Sequence, residues 1–177
     1  MYQLSRAAFA TFLFLLLPQI CSAGEPVNAS VCDVLGDPAA YNHKLIEVSG
    51  DVSRGFEDFT LADRKCKKQI GDIWLEVGGR IGSQVMYCCG VTAEPKRKKP
   101  LVVEGIETTV LQDKAFEAFQ SLTLGREGHG AAKVTIVGRY FSGEKQTLPG
   151  GTFWTGYGHM GMFSLLVIQQ VITAEPQ

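Results

Sequence analysis

Lys44–Val52 reads KLIEVSGDV. Strict alternation puts Ile46, Val48, Gly50 and Val52 on one face and Glu47, Ser49 and Asp51 on the other, the pattern of a half-buried strand. A glycine in the middle of the apolar face predicts a bulge or sharp bend, as at the corner of a barrel. Ala131–Phe141, AAKVTIVGRYF, repeats the design. Val134, Ile136, Gly138 and Tyr140 turn inward, again with a glycine inside the strand.

Between and after these two strands lie the remaining elements. FEDFTLAD (56–63) predicts a second strand with Phe59 and Leu61 inside, and IWLEV (73–77) a third, where Ile73, Leu75 and Val77 alternate with Trp74 and Glu76. LQDKAFEAFQSL (111–122) carries Leu111, Ala115, Phe116, Phe119 and Leu122 at helical spacing. SLLVIQQVIT (164–173) is apolar on both faces in its first half, so that strand is expected to be covered on both sides. Three strands, a helix and two strands is the OB-fold order. The expected class is therefore mainly β, an OB-fold-like five-stranded Greek-key barrel with a helix. Residues 78–110 hold a cysteine pair, the charged turn EPKRKKP and the short apolar run LVVEGI, and read as an inserted ribbon or loop. Lys96-Arg97-Lys98-Lys99 is expected to be a solvated turn. Ser30 is a candidate N-cap for a brief helix, VCDVL, stopped by Gly36 and Pro38.

The first 23 residues stand apart. Arg6 precedes AAFATFLFLLL, an apolar core of signal-peptide length, and Pro18 and Cys21-Ser22-Ala23 follow. Residues 1–23 are expected to be a signal peptide cleaved near Ala23. Residues 24–177 then form one OB-like domain that is periplasmic or secreted, with no transmembrane segment in the mature chain. A formal charge of -1 and 45% apolar residues describe an ordinary globular protein, with no global basicity to suggest nucleic acid. In an oxidising compartment Cys32, Cys66, Cys88 and Cys89 are expected to be disulfide partners. Bonding Cys88 to its neighbour Cys89 strains the ring, so the expected pairings join Cys32 and Cys66 to Cys88 and Cys89, in either order.

Several stretches, VCDVLGDPAAYNHKLIEVSGDVSRGFEDFTL, IWLEVGG, YCCG, VGRYFSG and GYGHMGMFSLLVIQQV, resemble a family of small, uncharacterised bacterial secreted proteins with an OB-fold pattern of the tRNA-anticodon-like type. The resemblance covers most of the mature chain and implies that fold. It carries no activity across, because a shared fold does not give function. Some relatives carry cysteines where this chain has Met162 and Phe163, so no cysteine-based site is implied there.

GYGHMG (156–161) matches the dinucleotide fingerprint G-x-G-x-x-G, but it runs into a strand rather than opening a helix, so the match is a coincidence and no cofactor is expected. In the OB assignment this stretch joins strands 4 and 5, a loop such folds use for ligands together with the strand 1–2 loop and the faces of strands 2 and 3. Phe153, Trp154 and Tyr157 among glycines offer rings for stacking. His159 lies beside them, and Trp74 and Phe56 extend the platform by outward parity. The opposing expectation is that these rings cap the open end of the barrel. Adjacent Glu57 and Asp58 point to opposite faces of a strand, and no nucleophile accompanies a histidine. The expected function is thus non-enzymatic binding of an oligosaccharide, oligonucleotide, peptide or envelope protein. The alternative is a metal-binding or redox centre of Cys66, Cys88 and Cys89 with His159.

Overall fold

The computed structural model describes residues 24–66, 72–83, 85, 96–124 and 129–177, and of Lys145, Leu148, Thr152 and Phe153 the backbone only. The expected signal peptide and the Cys88-Cys89 pair lie outside the described residues. In chain order the elements are β1 (Val27–Asn28), α1 (Val31–Gly36), α2 (Pro38–Tyr41), β2 (Leu45–Arg54), β3 (Phe59–Ala62) and β4 (Ile73–Val77). There follow β5 (Val102–Val103), β6 (Ile106–Glu107), α3 (Lys114–Thr123), β7 (Gly130–Phe141), β8 (Glu144–Leu148), β9 (Gly151–Thr155), a 3-10 turn (His159–Gly161) and β10 (Ser164–Glu175).

The sheet closes on itself. β2 is antiparallel to β3, β3 to β4, β10 to β7 and β7 to β2, while β4 and β10 run parallel. That is the strand order of an OB-like barrel. The closing ladder is long, from Leu45 opposite Arg139 to Arg54 opposite Gly130. Both mid-strand glycines sit where another strand approaches closely. An added Cβ would lie 2.7 Å from the Ala62 carbonyl oxygen at Gly50 and 2.6 Å from that of Val167 at Gly138. The β2–β7 register runs through both glycines without a bulge, so what the absent side chains allow is the close approach of a neighbouring strand.

Local signals account for the helices. Ser30 Oγ accepts from the Asp33 amide at 3.1 Å while Asp33 Oδ2 accepts from the Ser30 amide at 3.2 Å, a capping box that starts α1. Asp113 caps α3 by accepting from the Phe116 amide at 3.0 Å, and Phe116 and Phe119 enter the core, Phe119 facing Phe59 at 6.3 Å between ring centroids. Leu111, expected on the buried helix face, instead precedes the cap and is exposed. Its amide donates to the Gln169 carbonyl within β10.

The disulfide pairing differs from the expected one. Cys32 is bonded to Cys66, with Cα atoms 5.3 Å apart. The α1 helix and the turn after β3, where the Cys66 amide donates to the Asp63 carbonyl, bring the two cysteines together. The expectation failed because it required all four cysteines to cross-pair.

Strand β4 supplies the second correction. All five of its residues are buried. Parity places Trp74 and Glu76 opposite Ile73, Leu75 and Val77, as read from the sequence, yet Trp74 is only 1% exposed and is no open platform. The outer face of β4 is roofed. Over Glu76 the roof comes from the inserted segment. Arg97 Nη2 donates to Glu76 Oε2 at 2.6 Å, and its Nη1 donates to the carbonyls of Val77, at 2.8 Å, and Ile81. Ser83 Oγ adds a donor at 3.3 Å. The basic run is thus not wholly a solvated turn: Arg97 folds inward. Burial pushes the Glu76 carboxyl upward, and the Arg97 guanidinium opposes that shift.

Removing one partner leaves the other charge buried and uncompensated. Arg97→Met is expected to cost about 3 kcal/mol in urea unfolding of residues 24–177, and Arg97→Met combined with Glu76→Leu to recover at least about half of that loss. A double variant no more stable than the single one contradicts the pairing.

Candidate functional site

Two connections meet at the other end of β4's outer face. The β2–β3 turn is closed by the Gly55 amide donating to the Asp58 carbonyl at 2.8 Å, and it holds Phe56 out at 60% exposure. The β7–β10 connection is not the open loop expected. Its first part is the β8–β9 hairpin, registered from Glu144 opposite Thr155 to Leu148 opposite Gly151. Its second part, Gly156–Phe163, is a closed ring. Tyr157 and Phe163 exchange backbone hydrogen bonds of 2.8 and 3.1 Å, and the Gly156 amide donates to the Gly161 carbonyl at 2.9 Å.

That ring sits on Trp74. Gly158 has φ +67, and a Cβ there would lie 2.3 Å from the indole, so both the backbone conformation and the contact demand glycine. Phe163 packs on the same indole at 5.4 Å. Gly158 of GYGHMG therefore serves a close approach of backbone to an aromatic ring.

Tyr157 fastens the ring to its surroundings. Its ring lies 6.2 Å from Phe141, and its hydroxyl donates to Glu104 Oε1. Glu104 occupies the turn of the β5–β6 hairpin, and its Oε2 lies 2.5 Å from His43 Nε2. The His43 ring meets Phe141 edge-on at 5.6 Å. Hydrogen bonds from Tyr157 and then His43 hold the Glu104 carboxyl below its usual range. Burial, followed by the hydrogen bond to Glu104, pushes the Tyr157 phenol well above its own, which keeps the shared proton on tyrosine. Tyr157 is thus a clamp rather than a free stacking ring.

The other expected residues divide. Trp154 is half-buried, its indole lying against Gly143 and Gly156. The side chain of Phe153 lies outside the described residues. His159 Nδ1 points across to the β2–β3 turn, 3.9 Å from Glu57 Oε2. This pair joins the two connections, with Phe56 and Met160 next to it in the chain. Met160, at φ +57, and Met162 project at 64% and 65% exposure. The β2–β3 turn itself carries carboxylates, Glu57 and Asp58. Asp58 adjoins Asp72, whose carboxyl is raised by burial and by the nearby Asp58 charge. Phe56 and His159, both expected from the sequence, lie where the two connections meet. Met160, Met162 and Glu57 were not expected there, and a methionine pair in a glycine-rich stretch was the available signal.

Among the described residues, one group has metal-ligand spacing, namely Cys32, Asp63 and Cys66, and its two sulfurs are bonded to each other. Cys66 therefore offers no thiolate to the expected Cys66/Cys88/Cys89/His159 centre, and His159 faces Glu57 instead. Among the described residues no helix is long and apolar enough to cross a membrane. No family model, no curated protein and no solved structure matches the chain, so the site is read from its geometry alone.

The Tyr157–Glu104–His43 clamp has a defined pH dependence. The Glu104 carboxyl binds its proton more weakly folded than unfolded. Its contribution to stability is therefore complete above the ordinary glutamate value of 4.5 and is lost as pH falls below it. The stability difference between residues 24–177 and their Glu104→Ala variant is expected to be constant near neutrality and to shrink below about pH 4 in thermal melts across pH. A difference that persists unchanged into acid contradicts the clamp.

Proposed function

We propose that this protein is a non-enzymatic binding module acting outside the cytoplasm. Its ligand is a peptide segment of another protein that carries both apolar and basic side chains. The observation that carries the reading is the rim around the His159–Glu57 pair, where Phe56, Met160 and Met162 are all more than half exposed. Large apolar side chains held out together by ordered backbone mark interaction surfaces. Methionine suits a peptide partner because its flexible thioether adapts to irregular side chains.

Charge and ring placement narrow the ligand. Glu57 and Asp58 lie in the β2–β3 turn and Asp72, just before β4, feels the Asp58 charge, which disfavours a phosphate backbone and favours lysine or arginine. Sugar and base stacking need an open aromatic face. Trp74 is under Gly158, Tyr157 is clamped and Trp154 lies against its own hairpin. Of the ligand classes the sequence left open, a peptide is the best match.

The test is a fluorescence-anisotropy titration of the mature protein with three labelled probes: a leucine–lysine peptide, its leucine–glutamate counterpart and oligothymidylate. The expected result is saturable binding of the lysine peptide alone. Phe56→Ser combined with Met160→Ser is expected to weaken it about tenfold or more, with an unchanged melting temperature because both side chains are exposed. Equal binding of the acidic peptide, preference for the oligonucleotide, or full affinity in the double variant overturns the reading.

A further inference from the structure

A groove of about 380 Å³ opens on the outer wall of the barrel, where the start of β2 meets the end of β7 and the chain leading into α3. Its walls are apolar: Leu45, Val110, Leu111 and Val137. Arg139 stands at one side, opposite Leu45 in the β2–β7 ladder, with Gln170 nearby. Apolar walls with a few placed polar groups are the make-up of a small-molecule site, and the volume lies at the lower end of that class.

Arg139 is what the fold leaves unfinished. Its Nη1 donates to the His43 carbonyl at 2.8 Å. Its Nε is buried without a hydrogen-bond partner, and its Nη2 makes no hydrogen bond among the described residues. No ion pair joins it to a carboxylate of the described residues, although Glu47 occupies the next outward rung of β2, opposite Val137. The Nε is covered by the protein itself, which leaves Nη2 as the charged donor without an acceptor, and a charge-assisted hydrogen bond from a guanidinium favours a carboxylate. The other arginines turned into the fold, Arg97 and Arg54, both have acceptors there: Arg97 holds Glu76, and Arg54 donates to the Ser83 carbonyl at 3.2 Å.

We infer that this groove binds a small carboxylic acid with an apolar body, the carboxylate held by Arg139 Nη2 and the hydrocarbon laid against Leu45, Val110, Leu111 and Val137. The site is separate from the peptide-binding rim. It touches the clamp only at His43, whose carbonyl faces Arg139 and whose ring faces Glu104. A neutral ligand of the same shape gains the apolar contacts but leaves the guanidinium charge unmatched, so carboxylate selectivity is the signature.

The experiment is an amide-resolved NMR titration of the mature protein with octanoate and, separately, with octanamide. Octanoate is expected to bind saturably and to shift Leu111, Val137 and Gln170, with octanamide about tenfold or more weaker. Arg139→Gln is expected to reduce octanoate to the octanamide level. Leu111→Glu changes a residue that is 51% exposed, so it leaves the fold intact while placing a like charge in the groove, and it is expected to weaken octanoate similarly. Leu111→Glu decides the matter if Arg139→Gln fails to fold. Equal affinity for the amide, unchanged octanoate binding in Leu111→Glu, or no saturable octanoate binding overturns the inference.

Discussion

Strand β4 has to be buried on both faces, and much of what lies outside the barrel follows from that. One face holds Ile73, Leu75 and Val77 in the core, and the other presents an indole and a carboxylate that have to be covered. The insertion covers the carboxylate by turning Arg97 inward, and the closed ring of Gly156–Phe163 covers the indole by seating Gly158 on it. The covers also hold each other. Tyr157 from the ring and Glu104 from the insertion share a hydrogen bond, which His43 extends to the start of β2. A buried carboxylate is tolerable only with a matched cation, so the insertion is part of the barrel's stability rather than an ornament on it.

Roofing changes where a ligand can go. An OB-like barrel offers its second and third strands and the two flanking connections. Here those strands are β3 and β4, and the β4 part of their outer face is occupied by the protein's own backbone. What remains open is the edge of the roof, where His159 of the ring faces Glu57 of the β2–β3 turn and Phe56, Met160 and Met162 are exposed. Those side chains suit a flexible apolar and basic segment better than flat rings or phosphates. The groove at Arg139 lies on a different wall and draws on a different feature, a cation without a matching anion.

The fold was legible wherever periodicity was strong. Alternation located β2 and β7, and an apolar run on both faces located the doubly covered β10. The Ser30 cap located α1, and the glycines at 50 and 138 marked the places where a neighbouring strand comes close. The site was legible only in outline. Parity correctly turned Trp74 outward, but parity says nothing about what lies over a strand, so a covered indole read as an exposed one. Gly158 carried that information, since a glycine among aromatics also marks a backbone that comes down onto a ring. Tyr157 read as a stacking ring because its partner Glu104 is 53 residues away and belongs to the least regular part of the chain. The Cys32–Cys66 bond depended on how α1 docks beside the turn after β3, a tertiary fact that spacing alone does not contain.

The most direct measurement of this arrangement uses the chain's two tryptophans. With Trp154 replaced by phenylalanine, Trp74 is the sole indole, and its fluorescence reports on the roof. The account predicts blue-shifted emission that iodide and acrylamide barely quench in the folded protein and that becomes red-shifted and quenchable on unfolding in urea. Emission from the folded Trp154→Phe protein that is already red-shifted and readily quenched would mean that the β4 face is open. The ligand surface would then return to the strands.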